Sequence, residues 1–112
     1  HYDYAQTLAA VDDALRRHPE LRLVYLANPS VPACIDAIRA RGLTGQIHVL
    51  SHDSGPEIRE LLRNGEVDFT IDQDFAYQSH EALTLLFGAL TGRRPTQDCY
   101  YSASPILNAE TI

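Results

Sequence analysis

Two hydrophobic periods alternate along the chain. Tyr4, Leu8, Val11 and Leu15 recur at steps of four, three and four, the stripe of an amphipathic helix. His18-Pro19 ends that stripe, because a residue preceding proline is driven out of the helical region. Leu21–Leu26 then reads as a short buried strand. Val31, Cys34, Ile35 and Ile38 share one face of a second helix, and Gly42 supplies the left-handed position beyond its end. Gln46–Leu50 predicts the next strand. Ser54-Gly55-Pro56-Glu57 has the spacing of a capping box, with proline where a missing N–H is tolerated. The helix it opens buries Ile58, Leu61 and Leu62 and stops at Asn64-Gly65. Val67–Ile71 predicts a third strand, and Phe75–Thr91 the longest helix, with Leu83, Leu86, Phe87 and Leu90 on one face and Gly92 behind it. The tail from Thr96 is less regular; Asp98–Ser102 could add a further strand.

Strands separated by helices of roughly ten residues are βαβ units, which cross over right-handedly into a parallel sheet. The predicted fold class is therefore α/β, a parallel sheet flanked by helices. At 112 residues the chain has room for one domain. Hydrophobic residues at 45% and charged residues at 21% are ordinary globular values. The longest uncharged run, Leu23 to Ile35, is about 13 residues and holds two prolines, well short of the about 20 that a bilayer-spanning helix needs. His1-Tyr2-Asp3-Tyr4 lacks the basic and apolar regions of a signal peptide, and no membrane partner is expected.

Nine basic against fifteen acidic residues leave a net charge of -6. With only Arg16-Arg17 and Arg93-Arg94 as basic pairs, the chain by itself is a poor match to a phosphate backbone. Cys34 lies on an apolar helical face and reads as a buried thiol rather than half of a bridge to Cys99.

Open parallel sheets bind ligands beyond the carboxyl ends of their strands. Asn28 follows the first strand, Asp53 the second, and Gln73 and Phe75 the third. If the strands are neighbours, Asn28, Asp53 and Gln73 converge on one rim. Two amides and a carboxylate offer donors and acceptors but no strong nucleophile, which describes binding of a polyol better than catalysis. Phe75 could lay its ring against the apolar side of a sugar. Asn and Asp at strand ends also cap helices and stabilise turns, and spacing alone does not separate the two roles.

Sharper chemistries fit less well. Ser51-His52-Asp53 cannot form a relayed triad, because adjacent strand residues point in alternating directions. Asp53 lacks the acidic pair and the lysine of a phosphoacceptor site. His48 and His52 lie on a strand and its exit, unlike the paired histidines of a zinc helix. His18 is expected at a helix C-terminus and His80 on a solvent-facing side. No Gly-rich phosphate loop occurs, and no catalytic residue, metal or cofactor is implied.

The segments His18-Pro19-Glu20-Leu21, Leu26-Ala27-Asn28, Ala37–Gly42, Ile47–Asp53, Leu62–Gly65 and Phe69–Asp74 are, in that order and spacing, similar to the C-terminal part of the type 1 periplasmic-binding-protein fold. That fold is shared by sugar-binding proteins and the effector domains of LacI/GalR-type repressors. The resemblance implies that Asn28, Asp53 and Gln73 contact ligand and that Phe75 lines the pocket. Pro29 stands where the family often has Asp, and Ser51-His52 where it usually has Gly and an aromatic, so His52 takes the place of an aromatic wall.

The resemblance further implies that residues 1–112 are the C-terminal part of a two-lobed, sugar-like small-molecule-binding domain, with an N-terminal lobe and any DNA-binding domain upstream. In the family, the helix matching Phe75–Thr91 packs on the opposite lobe. Without that lobe its apolar face is expected to be exposed and to seek a partner, in self-association or by a different placement of the helix.

The style of Val67–Asp74 and the ending Asn108-Ala109-Glu110 favour a cytoplasmic, homodimeric LacI-type regulator that senses a sugar-like effector and reaches DNA only through its missing N-terminal domain. A periplasmic sugar-binding protein of a transport system is the alternative.

Overall fold

The computed structural model describes residues 3–93, 97, 100, 101 and 103–112. Its elements run α1 (Tyr4–Arg17), β1 (Leu23–Tyr25), α2 (Val31–Ala40), β2 (His48–His52), α3 (Pro56–Arg63), β3 (Phe69–Ile71), α4 (Phe75–Leu90) and β4 (Ile106–Leu107). The predicted alternation of helix and strand is present; β1 and β3 are shorter than the apolar runs that announce them, and β2 is shifted two residues along, so that Ser51 and His52 lie within it. The chain divides into two compact units, one of residues 1–72 with 106–112, the other of residues 73–105.

The first unit carries the whole sheet, in the order β1-β2-β3-β4. β1, β2 and β3 are parallel, and β4 closes the edge antiparallel to β3. The fold class is thus α/β with a mostly parallel sheet. The extra strand is Ile106–Leu107; within the segment Asp98–Ser102, positions 98, 99 and 102 lie outside the described residues, as does Cys99.

Both crossovers advance the sheet in the same direction, so right-handedness puts α2 and α3 on one face. Val31, Cys34, Ile35 and Ile38 from α2 and Ile58 and Leu62 from α3 form the core with Val49 and Val67, joined by Leu15 from α1. On the opposite face of the sheet Leu23, Tyr25 and Phe69 are 59%, 55% and 46% exposed. The expectation of a fully buried first strand is corrected by this. An apolar run does not reveal whether one face or both are covered, and Leu23–Tyr25 buries only one.

Cys34 has no solvent exposure and is a free thiol. Burial pushes its thiol up to about 11, because low-dielectric surroundings disfavour the thiolate. Iodoacetamide is therefore expected to leave Cys34 unmodified in the folded protein and to label it in denaturant, read by mass mapping of its peptide.

α2 ends in a Schellman turn. The Gly42 N–H donates to the Arg39 carbonyl at 3.0 Å and the Leu43 N–H to the Ile38 carbonyl at 3.1 Å, with Gly42 at φ 68°. No atom lies within 4 Å of where a Cβ would sit, so Gly42→Ala meets only the backbone penalty, about 1 kcal/mol. Urea denaturation should show a loss of that size with no change in slope. α3 begins differently from the capping-box expectation. Its N-cap is Gly55, without a side-chain cap, and the Ser54 hydroxyl donates instead to Asp72 Oδ1 at 2.9 Å. Ser54 lies one residue before the N-cap, and its hydroxyl hydrogen goes to a carboxylate at the neighbouring strand's exit.

In the second unit, Asp74 sits at φ 48° and accepts from the Tyr77 N–H at 3.2 Å, opening α4. Leu83, Leu86, Phe87 and Leu90 are 67%, 55%, 70% and 78% exposed, and α4 buries no residue. His80 is exposed, and His18 is the C-cap of α1, as expected of each. No helix among the described residues is long and apolar enough to cross a membrane.

Candidate ligand-binding site

β1 and β2 point the same way, and their exits are stitched together: the Leu26 N–H donates to the Leu50 carbonyl at 2.9 Å. Asn28 and Asp53 consequently leave the sheet at the same edge, from adjacent strands. Beside Asp53 lies a hollow of about 460 Å³, bordered by Pro29, His52, Asp53, Pro56, Glu57 and Ile58, with Asn28 next to Pro29 in the chain. Its two charged members are both carboxylates. Proline on either side stiffens the two loops, so the hollow is framed by backbone with little freedom to close over itself.

Asn28 is half-buried, and its side-chain oxygen accepts from the Ser30 N–H at 2.9 Å. This is an Asx turn, so the capping role is realised at this position. The amide nitrogen of Asn28 still offers two N–H donors. One side chain can thus shape the loop with its oxygen and present hydrogens with its nitrogen.

Asp53 is half-buried at φ 74°, a region in which non-glycine residues are uncommon and Asp and Asn enriched. Its N–H donates to the Ile71 carbonyl at 2.8 Å, and its carbonyl accepts from the Thr70 hydroxyl at 2.5 Å. With the Ser54–Asp72 bond, these lock the exit of β2 to the exit of β3. The Arg59 Nε–H donates to the Ser54 carbonyl at 2.8 Å and fastens the same loop from α3.

His52 is oriented by Tyr25. The phenol oxygen and Nε2 are 2.5 Å apart, and the rings meet edge to face at 5.5 Å and 61°. Sequence reasoning missed Tyr25 and Glu57. The signal for Tyr25 was parity, since Tyr25 and His52 occupy the same face of adjacent parallel strands in the register Tyr25↔Leu50. The same parity puts His48 and His52 on one sheet face after all. They sit at opposite ends of β2, roughly 13 Å apart at a strand's rise, and no group of three metal-ligating side chains occurs among the described residues.

Gln73 and Phe75 belong to the second unit. The Gln73 carbonyl accepts from the Gln78 side-chain amide, and Phe75 opens α4 with 59% of its surface exposed. The structure thus joins Asn28 and Asp53 at one edge within one unit, and places Gln73 and Phe75 at the start of the other.

A parallel sheet with a hollow beyond the carboxyl ends of its strands is the arrangement in which open α/β folds bind small molecules. The family described as periplasmic binding protein domain matches residues 1–94, and the chain belongs to it. Among curated relatives, the chain is 30% identical over 91 residues to the D-ribose/D-allose-binding protein of Pseudomonas aeruginosa, covering 80% of this chain and 28% of that protein. It is 27% identical over 89 residues to the D-allose-binding periplasmic protein of Escherichia coli, covering 79% and 29%. The chain therefore spans less than a third of the length of these relatives. Among solved structures, a periplasmic solute-binding protein of an ABC transporter from Actinobacillus succinogenes, with bound D-allose, superposes with a TM-score of 0.90 at 20% identity, over 98% of this chain and 38% of the other. At that identity the likeness speaks for the fold.

Proposed function

We propose that this chain is part of a sugar-binding protein that serves a transport system, and that it grips a neutral sugar at the hollow beside Asp53, with Asn28 reaching it from the loop that carries Pro29. The observation that carries the reading is the acid-bordered hollow at the shared exit of β1 and β2. A carboxylate accepts hydrogen bonds from two hydroxyls at once, and an amide nitrogen donates to a third oxygen. Asp53 and Glu57 would repel phosphate and carboxylate groups, which favours an uncharged sugar over a sugar phosphate or a sugar acid. The names of the relatives, ribose- and allose-binding, support the same ligand class. Gln73 and Phe75 are assigned to the same ligand by family resemblance. The role is binding without catalysis.

The balance between the two readings moves to transport. The matched relatives are named for sugar binding, and this outweighs the style of Val67–Asp74 and the ending Asn108-Ala109-Glu110, on which the LacI-type regulator, its DNA contact and its dimer rested. The cytoplasmic location belonged to that regulator reading. Transport entails an exported protein instead, and fractionation of cells producing the full reading frame decides between the two compartments.

A thermal-shift screen of the protein, expressed with whatever flanks these 112 residues in its reading frame, tests the function. Aldopentoses or aldohexoses should raise the melting temperature, and their phosphates should not. A response to phosphorylated sugars alone would overturn the assignment. The open face of α4 carries a separate expectation: residues 1–112 alone should self-associate through Leu83, Leu86, Phe87 and Leu90. Sedimentation should show the association lost in Leu86→Glu/Phe87→Glu.

A further inference from the structure

The backbone of Asp53 is held in an unfavourable region by partners that are unusual for a protein core. Ser51 on β2 and Thr70 on β3 are register partners, and both are 0% exposed on the face that packs against α2 and α3. Hydroxyls at such positions are costly unless hydrogen-bonded, and apolar residues of similar size would pack there without that demand.

The hydrogens can be placed by accounting. Thr70 Oγ1 lies 2.5 Å from the Asp53 carbonyl oxygen, which can only accept, so the single Thr70 hydrogen goes there. Ser51 Oγ, 3.0 Å from Thr70 Oγ1, must then be the donor to Thr70. The relay runs in one direction, from Ser51 to Thr70 to the carbonyl of Asp53. On the other side of the same residue, the Asp53 N–H is fixed by the Ile71 carbonyl at 2.8 Å. Both peptide groups flanking the Asp53 Cα are therefore anchored, at φ 74°.

We propose that Ser51 and Thr70 are positioning residues for the sugar site: Thr70 fixes the Asp53 carbonyl, Ser51 orients the Thr70 hydroxyl, and together they set the Asp53 carboxylate at the rim before ligand arrives. This rests on the assignment of Asp53 as a ligand-binding residue. Pre-set groups bind more tightly because less freedom is lost on association.

Two readouts on the protein, with flanking sequence present, test it. In calorimetric titration with D-allose, Thr70→Val should bind about tenfold more weakly and Ser51→Ala about threefold, whereas Thr70→Ser should return to within about twofold of the parent. NMR couplings reporting the φ of Asp53 should show the left-handed conformation depopulated in Thr70→Val and kept in Thr70→Ser. Ile38→Val, a core change with a comparable loss of thermal stability, should alter neither. Unchanged affinity and unchanged φ in Thr70→Val would reduce the pair to core packing and overturn the proposal, and if Thr70→Val does not fold, the same outcomes in Ser51→Ala decide. Should the parent bind no D-allose or other sugar, the binding reading fails; the φ measurement still decides whether the relay holds the backbone.

Discussion

Replacing Asp53 by Ala should weaken sugar binding by about a hundredfold, the largest effect of any change at the proposed site. A carboxylate that accepts two hydroxyl hydrogen bonds loses both on truncation, and each charge-assisted bond is worth about 1.5 kcal/mol or more. Part of the loss in Asp53→Ala has a second source. Position 53 sits at φ 74°, which alanine tolerates poorly and asparagine well. Asp53→Asn is therefore the cleaner variant: it keeps the backbone and one acceptor oxygen, and should bind about tenfold more weakly. Calorimetric titration of both, with melting curves recorded alongside, separates lost contacts from a displaced loop. Equal affinity in the parent and both variants would show that the sugar is held elsewhere.

The second large effect concerns stability. Leu62 is 1% exposed and lies in the cluster shared by α2, α3 and the strands. Leu62→Ala removes buried carbons from the cluster that α2 and α3 form with the strands. The expected cost is about 3 kcal/mol, with a melting temperature lower by roughly 10 °C or more. Arg63→Ala, one residue along on the exposed side of α3, should cost well under about 1 kcal/mol, since its ion pair with Glu60 is largely exposed to solvent. Chemical denaturation of the two variants side by side checks the contrast. Similar losses in both would mean that the cluster is not the centre of stability.

The alternation of elements could be read from the sequence because its signals are local. A helical stripe, a proline behind His18 and a glycine at Gly42 each act through the backbone within a few residues. The exits of the strands were legible for the same reason, and with them Asn28 and Asp53. What escaped depends on partners distant in the chain. Ser54 looked like a helix cap, but the helix starts one residue later at Gly55, and the Ser54 hydroxyl donates to Asp72, eighteen residues on. Leu23–Tyr25 looked buried because an apolar run is silent about which of its faces is covered. The strand at Ile106–Leu107 is too short to stand out by period, and exists through pairing with Thr70 and Ile71. The Ser51–Thr70 relay was invisible because two polar residues on separate strands gain meaning only from register.

The choice between regulator and transport component was not written in these residues. One fold serves both roles, and the chain covers 28% of the length of the Pseudomonas aeruginosa relative. The proposed grip rests on two residues: Asn28 uses its oxygen in an Asx turn, which leaves its amide N–H groups as donors, and Asp53 is anchored through both peptide groups. Residues so placed are suited to hydroxyl groups and poorly suited to anions.

A crystal structure of the protein grown with D-allose bears most directly on that grip. The sugar is expected at the exit of β1 and β2, with two hydroxyls on the Asp53 carboxylate, the Asn28 amide nitrogen on a ring or hydroxyl oxygen, and His52 at its flank. A sugar seated away from that edge, or one that leaves the Asp53 carboxylate without contact, would contradict the account.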